Sequence, residues 1–411
     1  MFIWIFIGLL LLKEIVDIYL DWRNVKHSTK FKDIPEEFRD VISQETLEKS
    51  QNYLKDTTKL GFYSEAVDIL FTLLLIFIGY PTFERFVGSF TNSFILQGLL
   101  FFGIVGALSM IISLPFSIYS NFVIEGKYGF NTMTPKVFLM DMIKSILISV
   151  ILGVPILSLL LFVIKNDPNF WWKFALVAIV FELFVSFIHP LLIAPLFNKF
   201  TPLEDEDLKE KIIDLGKKVG FDIKNVFVMD ASKRTKKQNA YLTGFGKSRR
   251  VVLYDTILSY PQEEILAVFA HELGHYKKRH IPLMLLLSTV FYVVYIYITF
   301  IFYKLAPFSQ YFNIQKEYTI LIYAFLLSSS IFYFISPIVN ALSRKMEYDA
   351  DRFSADLLGK SNPLINALKR LEKENLGNLY PDPLYRTWYY SHPAPTERIY
   401  ALLDLKKGEE A

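Results

Sequence analysis

The sequence predicts a mainly α fold: a polytopic membrane bundle of about seven transmembrane helices, capped by a small α+β domain. Three observations predict it. The 411 residues are 53% hydrophobic and 16% aromatic, with a mean hydropathy of +0.32, more apolar than an ordinary soluble domain. Seven stretches approach the roughly 20 apolar residues that a helix needs to cross a hydrocarbon core about 30 Å thick. Two longer segments, 193–280 and 339–411, are too polar to do so.

The expected spans are Phe2–Leu20, Val67–Phe83, Phe94–Leu114, Ile143–Ile164, Trp172–Leu192, Ile281–Phe302 and Tyr318–Ile338. The first lacks a basic n-region and a small-residue cleavage site, so it reads as a retained anchor and not a signal peptide. Lys13 and Glu14 interrupt it near Asp17, which suits a snorkelling or bundle-facing arrangement. Bases concentrate in "DWRNVKHSTKFKDIPEEFRD", "ASKRTKKQNAYLTGFGKSRR" and "KKRH", whereas "PTFERFVGSFTNS", "KNDPNFWWK" and "KLAPFSQYFNIQKEY" carry far fewer. Seven spans with the N-terminus outside place every strongly basic connection, and the C-terminus, in the cytosol.

The chain divides accordingly. Residues 1–192 hold spans one to five, 193–280 a cytosolic region, 281–338 spans six and seven, and 339–411 a second polar part. Within 193–280, "EDEDLKEKIIDLGKKVG" reads as a helix, while "NVFVMD" and "RVVLYDTIL" read as strands. A further helix begins after Pro261 with "QEE" in its first turn, where acids suit the helix dipole. The two polar parts are expected to form one domain seated on the bundle. A formal charge of +3 gives no basis for nucleic-acid binding. The absence of cysteine excludes disulfides and thiolate metal sites.

The helix after Pro261 contains H-E-x-x-H, formed by His271, Glu272 and His275. Positions four apart share a helical face, so the two imidazoles can hold one metal ion. A catalytic zinc needs a third protein ligand and an open position. Glu347 in "NALSRKMEYDADRFSADLLG" is expected to be that ligand, with Asp351 one turn on accepting a hydrogen bond from a ligating imidazole. Glu272 is expected to act as general base, taking the proton of the water that attacks a peptide carbonyl. The bland readings are a chance histidine pair and a solvated acidic face. Finding both segments on the same expected side of the membrane favours the metal site. His280, in the run Lys277, Lys278, Arg279, His280, reads as part of a basic cluster where the helix meets the headgroups. His189 precedes a proline within a span and reads equally as a buried contact or a chamber-lining group, and His27 reads as solvated.

These motifs resemble the type I CAAX prenyl endopeptidases, integral-membrane zinc proteases of the gluzincin class. The likeness runs over nearly the whole chain in order: "NFVIEGKYGFNTMT", "IAPLFNKFTPLED", "VFVMDASKR", "QNAYLTGFGKSRRVVLYDTIL", "HELGHYKKRH", "SRKMEYDADRFSADL" and "SHPAPTERI". It implies a bundle enclosing a water-filled chamber under a gluzincin cap, with one Zn2+ per chain. Glu182 and His189 would fit the chamber's wall. Asn239, Ala240 and Tyr241 match an edge strand that holds the substrate backbone by strand addition. His392 matches a group near the scissile carbonyl, where its N–H could stabilise the oxyanion. Arg398 matches an arginine that braces the site or the substrate terminus. The implied partners are the lipid bilayer and a peptide or protein substrate, including prenylated C-terminal CAAX peptides. The chain lacks the longer insertions associated with eukaryotic relatives, which brings it closer to bacterial members. The implied location is the inner membrane of a bacterium or the endoplasmic reticulum of a eukaryote. A heat-shock-type quality-control protease shares the zinc motifs, and a metal transporter is the reading from another class. The latter calls for a closed four-ligand site and inverted repeats.

Overall fold

The computed structural model describes residues 1–223, 225–243 and 250–409. Part of the quoted stretch "TGFGKSRR" therefore lies outside the described residues. Helix α1 spans Phe2–Ser28. Helix α2, Gln44–Leu74, starts where the Ser43 hydroxyl accepts the Thr46 N–H at 3.2 Å, which satisfies one of the first-turn donors. It runs through a π-turn into α3, Tyr80–Phe90. Helix α4, Phe94–Ile118, continues similarly into the short α5, Glu125–Tyr128, which ends on Gly129 at φ +84°. Helices α6, Pro135–Asn166, and α7, Trp171–Ile188, follow, and a π-turn leads from α7 into the short α8, Ala194–Phe197.

Six helical runs among the described residues are long and apolar enough to cross a membrane: 44–90, 94–128, 135–166, 171–197, 280–305 and 317–358. Each contains most or all of one expected span, from the second to the seventh. The first expected span is also a helix, α1, but it does not satisfy the same length-and-composition criterion, because Lys13, Glu14 and Asp17 fall near its middle. Those charges satisfy one another: Lys13 lies 2.9 Å from Glu14 and 3.7 Å from Asp17. On its inner side Phe6 is fully buried against Phe308, Phe312 and Tyr323.

The polar cap holds a four-stranded sheet. Strands β1 (Phe200–Pro202), β2 (Asn225–Met229), β3 (Ala240–Thr243) and β4 (Arg250–Tyr254) lie in the order β1-β2-β4-β3. The β2–β4 pair is parallel and the other two pairs are antiparallel. Helix α9, Glu206–Val219, capped by Asp205, covers one face together with α10, Gln262–Lys277. Leu208, Ile212, Val226, Val251, Leu253, Ile265, Phe269 and Leu273 share this core. Helix α11, His280–Leu305, the short α12, Phe308–Phe312, and α13, Glu317–Phe332, return the chain through the bundle. A 3-10 turn, Tyr333–Ile335, joins α13 to α14, Ser336–Leu358. Helices α15 (Asn362–Glu374), α16 (Pro383–Tyr389) and α17 (Pro395–Glu409) complete the cap.

Two features were not legible in the sequence. The connection after α1 and the first turn of α2 belong to the cap: Phe38, Ile42 and Leu47 are buried with Ala267, Leu364, Ile399 and Leu402. The stretch "EGKYGFNTMT" docks on the segment before β3, where the Lys236 N–H donates to Phe130 O and Lys237 Nζ lies 3.2 Å from Glu125. Arg234 similarly forks onto Asp141 at 2.8 and 3.0 Å and onto Asn198 at 2.8 Å. It ties the cap to α6 and to the end of α8.

Candidate active site

Helix α10 carries His271, Glu272 and His275, and α14 carries Glu347 and Asp351. What lets them meet is Gly274. A Cβ there would come within 2.9 Å of Ala350 Cα and 3.2 Å of Phe353 Cβ, so only a glycine permits this approach of the two helices. The Ser354 hydroxyl, donating to Ala267 O at 2.8 Å, pins the same crossing.

At the crossing, ligand atoms of His271, His275 and Glu347 all lie within 4.8 Å of one another. The Nε2 atoms of the two rings are 3.2 Å apart. Glu347 places Oε2 3.4 Å from His271 Nε2 and Oε1 3.3 Å from His275 Nε2. Glu347 Oε2 is buried without a hydrogen bond, a costly state for a carboxylate oxygen. Burial disfavours charge on His271, yet Asp351 and Glu347 outweigh it and raise its pKa to about 9. Converging nitrogens, an orphaned carboxylate oxygen and a field that favours positive charge together fit a divalent metal.

The outward side of His271 is held. Its Nδ1 lies 2.8 Å from Asp351 Oδ1, and Arg398 forks onto Asp351 at 2.6 and 2.8 Å. Arg398 Nη1 also stands 3.8 Å from Glu347 Oε2. Glu272 is only partly exposed. Burial pushes its carboxyl above the ordinary value, against the pull of the two imidazoles. His392 is well exposed and brings Nε2 to 3.4 Å from Glu347 Oε1. Its turn is fixed from behind, since the Ala394 N–H donates to Glu397 at 3.1 Å and Glu397 pairs with Arg386. Neither Arg386 nor Glu397 stood out in the sequence, because "SHPAPTER" alone reads as a simple turn.

Ala240 and Tyr241 open β3, which among the described residues is an edge strand paired only with β4, packed alongside α10. Asn239 precedes it, and its carbonyl accepts the Tyr254 N–H at 3.0 Å. His280 departs from expectation. It is buried at 6% exposure and its Nδ1 lies 3.1 Å from His275 Nδ1, whereas Lys277, Lys278 and Arg279 beside it are exposed.

Comparison with known proteins bears on this arrangement. Residues 24–199 match the family model "CAAX prenyl protease N-terminal, five membrane helices", and residues 202–406 match "Peptidase family M48". The chain is 37% identical to a CAAX prenyl protease 1 homolog of Arabidopsis thaliana, covering 96% of each chain. It is 35% identical to CAAX prenyl protease 1 of Saccharomyces cerevisiae, over 93% of this chain and 91% of that one. A solved structure, the crystal structure of S. mikatae Ste24p, superposes with a TM-score of 0.89 at 35% identity, covering 97% of this chain and 98% of that one. Shortness therefore does not set the chain apart from these eukaryotic relatives. Fold and family together define an integral-membrane metalloendopeptidase, acting on peptide or protein substrates. The chain belongs to the type I CAAX prenyl protease family, within peptidase family M48.

Proposed function

We propose that the chain is a zinc endopeptidase that cleaves C-terminal CAAX-type sequences, the class named in its relatives' descriptions. The observation that carries this reading is the buried convergence of His271, His275 and Glu347 with an unsatisfied carboxylate oxygen. Two imidazoles and a carboxylate favour zinc among the divalent ions. Zinc held there would supply Lewis acidity, polarising the scissile carbonyl and making water a better nucleophile.

The chain's own residues do the rest. Asp351 accepts the His271 Nδ1–H, which leaves His271 Nε2 as a lone-pair donor, and Arg398 keeps Asp351 ionised and oriented. Glu272, its carboxyl made more basic by burial, takes the proton of the attacking water and delivers it to the leaving amine. His392 donates an N–H to the carbonyl oxygen as negative charge builds there. The edge of β3 turned away from β4, from Asn239 to Tyr241, pairs with the substrate backbone and sets the scissile bond beside α10. The basic connections favour the cytosolic face for this site, in a eukaryotic cell that of the endoplasmic reticulum.

The test is Glu272→Gln in the full-length protein. Elemental analysis should find one zinc per chain, as in the wild type. Cleavage of a prenylated CAAX peptide should fall by about 10²–10⁴-fold. A variant that cleaves as fast as the wild type removes Glu272 from the chemistry. Preference for misfolded membrane proteins over that peptide would favour the heat-shock-type reading.

A further inference from the structure

The two imidazoles of the metal motif are not supported alike. Each turns Nε2 toward Glu347 and Nδ1 away from it. Outside His271 stands a carboxylate, Asp351, at 2.8 Å. Outside His275 stands another imidazole, His280, with the two Nδ1 atoms 3.1 Å apart. The rings meet edge to face, with centroids 5.2 Å apart.

A continuous helix could not make this contact. Five residues along an α-helix correspond to about 500° of rotation, which puts the second side chain roughly 140° around the axis from the first. The chain achieves it by breaking the helix. Helix α10 ends at Lys277, and Arg279 takes the left-handed conformation at φ +58° before α11 begins at His280. Residues other than glycine seldom adopt that region. The reversal folds His280 back over the end of α10, where it is buried.

From this geometry we infer that His280 is a positioning residue for the metal ligand His275. The inference rests on the zinc-site reading above. With His275 Nε2 reserved as a lone-pair donor, its proton sits on Nδ1 and is donated to Nδ1 of His280, which must then carry its own proton on Nε2. The neutral acceptor fixes the tautomer and plane of His275 without adding a second negative charge to a site that already holds Glu347 and Asp351.

The test compares full-length wild type, His280→Ala and His280→Asn, the asparagine Oδ1 replacing Nδ1 as acceptor. Zinc affinity is read by chelator competition and peptide cleavage by steady-state kinetics. His280→Ala should bind zinc about 10–100-fold more weakly and, at saturating zinc, lose kcat with little change in KM. His280→Asn should recover most of both. Equal zinc affinity and kcat in His280→Ala and wild type overturn the inference alone. Failure of the wild type to bind zinc overturns the site reading with it. If His280→Ala does not fold, His280→Asn decides: wild-type-like zinc affinity and kcat support the acceptor role, and a loss like that expected for alanine overturns it.

Discussion

Asp351 shows how much one side chain holds together. At 2% exposure it meets the His271 ring on one side and the Arg398 guanidinium on the other. Replacing it with alanine leaves Arg398 buried beside an empty acceptor position. Breaking such a pair costs about 3–5 kcal/mol, so Asp351→Ala should lower the thermal midpoint and weaken zinc binding together. Calorimetry and chelator competition would each read one effect. Glu372 gives a second test. It lines a cavity of about 430 Å³ shared with His392 and Arg398, and burial pushes its carboxyl up to about 7 despite the nearby arginine. An acid whose pKa rises on folding stabilises less as pH climbs from its ordinary value toward the raised one. Glu372→Gln should therefore raise the thermal midpoint at pH 8, with the difference shrinking toward pH 5. At this scale the sequence was readable wherever the candidate site repeats at helical spacing: the histidines of H-E-x-x-H and the acids of E-x-x-x-D converge at one helix crossing. His280 was hidden because its contact depends on a backbone reversal at Arg279, and its basic neighbours pointed to the membrane surface.

Elements meet through a few enforced approaches. Gly274→Ala would set a methyl group 2.9 Å from the Ala350 backbone, and backbone cannot yield as a flexible side chain can. Helices α10 and α14 should separate slightly, costing about 1–3 kcal/mol and weakening zinc binding in the same competition assay. At the other end of the cap, Asp382 caps α16 by accepting the Leu384 and Tyr385 N–H groups and also pairs with Arg23 of α1 at 3.0 Å. Burial alone would raise its pKa, but Arg23 and those amides prevail and hold it below the usual carboxylate range. A lowered acid stabilises above its ordinary pKa and loses that contribution as pH falls through the lowered value. Unfolding monitored below about pH 4 should show this loss, and Asp382→Asn should flatten it. Such ties were illegible in sequence because they join residues hundreds of positions apart: Arg23 and Asp382 are separated by 359.

For the whole molecule, the apolar runs and the motif order were plain, and the main surprise was how α1 and its following connection serve the cap. The charges in α1 turn inward to one another, and Phe38, Ile42 and Leu47 complete a core that periodicity within one segment could not reveal. Sidedness can be measured directly, because the natural chain contains no cysteine. A cysteine at exposed Lys278 should react with a membrane-impermeant maleimide from the cytosolic side, and one at exposed Asn92 from the opposite side. Labelling of both from one face would overturn the seven-span arrangement.

Helix α10 meets α11 across the left-handed break at Arg279, whereas α14 extends α13 through a single short turn. The glutamate thus rides on the extension of one apolar helix, while the histidines sit on a helix joined by a bend to another. Rods tilt when acyl chains are too short or too long for them, at a cost of fractions of a kcal/mol per ångström. A change in the tilt of α13 would therefore be carried along α14 to Glu347. The same purified enzyme should change its turnover between thin and thick vesicles of one headgroup type.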